Sequence, residues 1–271
     1  MQRVSSRQPL SLAVLVTVVF ALGLLVWALI IPHSVTTLEI TRWKLFGLDA
    51  TRILIPVVFL TALGWWRMAG FTQRPTRSTI LPFLPLLLIP LLPLLFGSRF
   101  KVTDPWDIAI LVVTYLALGF GEEAIFRGVV LRALAPSGWM RAAVLSAILF
   151  GSMHLVNLAL GNNPGDVGFQ VVYTALIGFA YAAVALVTGA IWPLILIHFA
   201  QDFINAMQQA PSTTTTTSTT GTDIASGLIN VAIFLIFAAY GYWLLRRHLN
   251  QASTEPTRVR ESRSRDLAGA K

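Results

Sequence analysis

The chain has no cysteine at any of its 271 positions. That absence removes disulfides, Cys-ligated zinc and a thiol nucleophile together. Charge is nearly as scarce. Asp, Glu, Lys and Arg make up 12% of residues, against about 25% in an ordinary soluble domain. Acid is the rarer sign, with 12 carboxylates to 20 Lys and Arg. Two catalytic signatures are missing as well: no Gly-x-Ser-x-Gly elbow stands beside a histidine, and no His-Glu-x-x-His marks a helical zinc site. No internal repeat is visible.

What fills the chain is apolar: 55% hydrophobic residues and a mean hydropathy of +0.71. Apolar runs long enough to cross about 30 Å of hydrocarbon recur, which predicts an all-α polytopic transmembrane bundle. Eight spans are expected, at 10–32, 53–71, 80–97, 105–133, 141–160, 167–188, 190–209 and 224–246. They form one domain, 1–250, followed by a basic tail, 251–271, expected to be disordered. Arg3 and Arg7 precede Leu10–Ile31, which is long enough to span and lacks a small-residue cleavage site, so it reads as an uncleaved first helix. The third span carries Pro82, Pro85, Pro90 and Pro93 and should be kinked. The fourth opens on Asp104-Pro105-Trp106, a capping acid before a first-turn proline. Its charged second half is expected to leave the hydrocarbon or lie along the interface.

The net charge of +8 does not mark a nucleic-acid binder, because the basic residues sit in tails and short loops beside apolar runs. Eight spans put both termini on one side. Counting tails and even-numbered loops places 15 of the 20 basic residues there. The positive-inside rule makes that side cytoplasmic in a multi-pass protein of the cell membrane. The Ser/Thr tract Ser212–Thr220 then lies outside and carries no chemistry.

The informative residues are the ionisable ones inside apolar segments: Glu122, Glu123, Arg127, His154, His198 and Asp202. Three carboxylates and an arginine would cost about 10 kcal/mol unpaired in a membrane, so they must face one another or water. Glu123 and Arg127 are four apart and can pair on one helical face. Glu122 points about 100° away, so the two glutamates should not share a role. Phe150 with His154, and His198 with Asp202, are also four apart. Counting residues places Glu122 and His198 at similar depth near the cytoplasmic ends of their spans, with His154 deeper. Bland readings exist for each pair: a structural ion pair, a packing histidine, an interhelical polar clasp. All three together in so charge-poor a chain favour a functional site. Carboxylate, imidazole and guanidinium suit hydrolysis by an activated water.

The ordered set Glu122-Glu123-x-x-x-Arg127, Phe150-x-x-x-His154 and His198-x-x-x-Asp202 resembles the three motifs of the CAAX protease and bacteriocin-processing family of intramembrane proteases, which includes the type II CAAX prenyl endopeptidases. The resemblance covers about 105–206. It implies an endopeptidase acting on a membrane protein or peptide, lipidated in the prenyl branch, within the lipid bilayer. It makes Glu122 the base on water, shared with His154. His198 and Asp202 would stabilise the oxyanion, and Glu123 with Arg127 would shape the fourth helix. The resemblance leaves a metal-free glutamate mechanism and a divalent metal such as zinc both open; the ligands of a metal would be Glu122, His154, His198 and Asp202. Asp202 must be protonated, orient His198 or bind that metal. The competing reading is a non-catalytic membrane protein, either an immunity-type peptide binder or a proton-coupled transporter.

Overall fold

The computed structural model describes residues 9–30, 38–73, 76–209 and 224–268. Arg3, Arg7, His33, Lys271 and the Ser212–Thr220 tract lie outside the described residues. Among the described residues eight principal helices follow one another: α1 (Pro9–Ile30), α2 (Leu38–Leu63), α3 (Leu81–Phe96), α4 (Pro105–Ser137), α5 (Trp139–Met153), α6 (Pro164–Thr188), α7 (Trp192–Gln208) and α8 (Ile224–Ala268). No strand occurs among the described residues. The all-α polytopic bundle is therefore as expected.

Among the described residues, six helical stretches are long and apolar enough to cross a membrane, the α5 stretch being counted through its turn to Ala159. The third and seventh expected spans are shorter: α3 has 7 residues of 3-10 helix followed by 9 of α-helix, and α7 has 17. Prolines at 82 and 85 explain the tight opening of α3, since each removes an N–H from the α ladder. One span boundary shifts. The second apolar span runs Phe46–Leu63 and not 53–71, ending at Gly64 with a left-handed φ of 66°. The fifth runs Trp139–Ala159, close to the expected 141–160, with a turn after Met153 inside it before the short helix Val156–Ala159. The backbone of α8 continues as helix to Ala268.

α4 is the axis of the site. Asp104 Oδ1 accepts from the amides of Trp106 (2.8 Å) and Asp107 (3.1 Å), the cap expected of that acid. The helix is α to Glu123, then a π turn over Ala124–Val130. Its wider winding lets the Leu131 amide donate five residues back, to the Phe126 carbonyl, which also accepts from Ser146 Oγ of α5 (3.1 Å). Every residue from Gly121 to Leu131 is buried, so the charged second half lies inside the bundle and does not leave it for the interface. α1 and α2 pack against this segment, α6 against α5 and α8, and α7 against α4 and α3.

Small residues set these approaches. A Cβ on Gly119 would stand 3.0 Å from the Ile195 carbonyl, and one on Gly151 only 2.6 Å from that of Val171. Glycine at these points lets α7 and α6 come close to α4 and α5.

Candidate active site

Arg127 and Glu123 occupy the driest part of the bundle, with side chains 1% and 0% exposed. Arg127 Nη1 donates to Glu123 Oε1 at 3.0 Å, and Nη2 reaches the Gly178 carbonyl at 3.4 Å. The guanidinium carbon lies 4.4 Å from the Phe150 ring centre and 5.3 Å from that of Tyr181. Cation–π contact and a charge-assisted hydrogen bond together replace the water the arginine gave up. Gly178 makes room for this stack, since a Cβ there would meet the Phe150 ring at 2.8 Å.

The same Glu123 oxygen has a second donor, from another helix. His198 Nδ1 donates to Glu123 Oε1 at 2.9 Å, which leaves Nε2 3.4 Å from Asp202 Oδ2 and 3.8 Å from Glu122 Oε2. Glu123 thus joins the first motif to the third. The spacing argument paired it with Arg127 and held the two glutamates apart. In the fold both reach one imidazole, from opposite ring nitrogens. Their roles still differ: Glu123 is sealed behind Arg127, whereas Glu122 lines a cavity.

His154 caps the end of α5, where the chain turns. Its Nδ1 is 3.1 Å from the Phe150 carbonyl. A carbonyl can only accept, so Nδ1 carries the proton and Nε2 keeps a lone pair. Glu122 and His154 stand 16 residues either side of the Gly138 turn, and both line one cavity. Glu122 lies near the middle of the 33-residue α4 and not at a cytoplasmic end.

A cavity of about 330 Å³ gathers the set: Glu122, Arg127, His154, His198 and Asp202 all line it. Edge-on rings frame it, with Phe150 5.3 Å from His154 and 6.4 Å from His198, and Tyr181 6.2 Å from His198. Sequence reasoning missed one wall. Asp49 and Arg52, counted with the loop before the second span, lie within α2, and Arg52 lines the cavity. Arg52 Nη1 donates to Asp49 Oδ1 (3.1 Å), and Thr114 Oγ1 of α4 donates to Oδ2 (2.9 Å). The three-residue spacing of Asp49 and Arg52 was the available signal. Tyr181 had none, because a tyrosine in an apolar run reads as packing.

Four groups were expected as ligands if a divalent metal binds: Glu122, His154, His198 and Asp202. Among the described residues no three His, Asp or Glu side chains gather at one point as ligands would. His154 Nδ1 and His198 Nδ1 each bond to an acceptor, which leaves only Nε2 of each ring for a ligand role, and the two do not converge with a carboxylate there. As placed here these residues do not fit a metal, and no step below runs through one.

Residues 104–204, which hold all three motifs, match the family described as Type II CAAX prenyl endopeptidase Rce1-like. The family resemblance carried by the motifs is therefore shown over that stretch, just over a third of the chain. It supports proteolysis as the class of chemistry. No curated protein matches the chain.

Proposed function

We propose that the chain is an intramembrane endopeptidase that cleaves membrane-associated proteins or peptides with a water activated by Glu122. One observation carries this reading: Glu122, His154, His198 and Asp202 line one cavity between apolar helices, with the His198 ring held by buried Glu123. Glu122 takes a proton as the water oxygen bonds to the scissile carbonyl carbon. His154 Nε2 accepts a hydrogen bond from the water's other O–H, which stays on that oxygen, and orients the attack. The carbonyl π pair moves onto oxygen, where His198, as an imidazolium with Nδ1–H on Glu123, donates through Nε2–H together with protonated Asp202. Collapse breaks the C–N bond, and Glu122 returns its proton to the departing nitrogen.

Glu123 and Arg127 position these groups without touching the reacting atoms. Both termini are assigned to the cytoplasmic side on the distribution of Lys and Arg. The test is Glu122→Gln, which keeps size and hydrogen bonding but cannot accept the proton. It should lower cleavage of membrane peptides on the order of 10²–10⁴-fold, with detergent stability unchanged. Full activity in that variant would remove Glu122 from the mechanism.

A further inference from the structure

α7 carries more polar surface than its motif uses. His198, Gln201, Asp202, Asn205 and Gln208 recur at spacings of three and four, which is one face of a helix. His198 and Asp202 belong to the site, and Gln208 Nε2 donates to the Pro93 carbonyl of α3 at 2.7 Å. The side-chain amides of Gln201 and Asn205 hydrogen-bond to no other described residue. Both line the site cavity, and both also line a second hollow of about 470 Å³ between α3, α7 and α8. Tyr173 and Phe234 are shared between the two spaces as well, so the hollow continues the site. Leu92, Phe96 and Ile233 form its apolar walls, and exposed Asn230 of α8 stands in its lining. It opens where the C-terminal ends of α3 and α7 meet the N-terminal part of α8, away from the Gly138 turn.

A side-chain amide left without a partner among apolar helices is costly, and a lipid chain offers it nothing. A peptide main chain offers both a donor and an acceptor at each residue. One helical turn separates Gln201 from Asn205, about 6 Å along the axis, close to the roughly 6.7 Å between groups on the same side of an extended chain. We propose that this groove holds the substrate as an extended peptide segment. Gln201 and Asn205 pair with its main chain, while Leu92, Phe96, Ile233 and Phe234 take its apolar side chains. This rests on the peptidase reading and adds the substrate's conformation and its route to Glu122.

The probe is a biotinylated 20-residue Leu/Ala peptide with a central Gly-Pro pair, in dodecyl maltoside micelles. A photocrosslinking residue is placed at Ile233 or, as a control, at Val58 on the exposed face of α2, both in the Glu122→Gln background. Labelling is expected at 233 and not at 58, and excess unlabelled peptide should compete it away. In active enzyme, Gln201→Leu with Asn205→Leu should raise KM about 10–30-fold for two lost hydrogen bonds. kcat should hold within about threefold and Tm should stay level or rise, because neither amide has a protein partner to lose. Equal labelling at 58 and 233 would overturn the groove. So would cleavage by the wild type with KM unchanged in the double variant. Labelling at 233 with no cleavage by the wild type would keep the groove and sink the peptidase reading.

Discussion

Arg127→Ala is the change whose cost the geometry fixes most closely. It removes the 3.0 Å bond to Glu123, the contact with the Gly178 carbonyl, and the packing against Phe150 and Tyr181. It also strands the Glu123 carboxylate, whose side chain is 0% exposed. Breaking a buried ion pair from one side costs about 3–5 kcal/mol. At about 2–4 °C per kcal/mol for a chain of this size, apparent Tm should fall by roughly 6–20 °C. Glu122→Ala is the comparison. Glu122 lines the cavity and comes no nearer than 3.8 Å to His198 Nε2, so its loss strands no buried partner and should cost under about 1 kcal/mol. A double-mutant cycle separates the stranded charge from the lost packing: Glu123→Gln added to Arg127→Ala should restore part of the Tm. The assay is thermal unfolding of purified protein in detergent, with membrane accumulation as a second readout. Equal Tm in Arg127→Ala and Glu122→Ala would refute the idea that Arg127 neutralises a carboxylate the bundle cannot otherwise hold.

Asp202→Asn keeps a donor beside His198 Nε2, so the proposed oxyanion site should retain activity within about tenfold; a loss comparable to Glu122→Gln, measured as kcat, would give Asp202 a role that only its acid serves. Gly178→Ala should displace the Phe150 ring, which a new Cβ would meet at 2.8 Å, and lower Tm by disturbing the Arg127 stack; an unchanged Tm would show that the ring moves freely. Reporter fusions at Gln251 and within Ser212–Thr220 should report opposite sides of the membrane, and the same side from both would overturn the proposed topology.

The membrane bundle, the capped start of α4 and the Glu123–Arg127 pair are all properties of residues close together in sequence. Hydrophobic run length is set by the bilayer, and four-residue spacing by the helix repeat, so both can be read without a fold. The π turn could not be read from spacing along one helix; in the fold its Phe126 carbonyl also accepts from Ser146 of another helix. Nor could the second partner of Glu123. Its neighbour His198 is 75 positions away, and only the rotation and crossing of α7 over Gly119 decide which face it turns inward.

By itself the sequence determined which ionisable side chains had to be sheltered, because lipid cannot solvate them and they had to find partners. The tertiary structure decided how they are shared. It brought Glu122 and His154 to one cavity, set one Glu123 oxygen between Arg127 and His198, and put Arg52 in the cavity wall. These are interhelical contacts fixed by close approach at glycines and by aromatic rings filling the space around them. Spacing within one helix carries no information about the angle at which it meets the next.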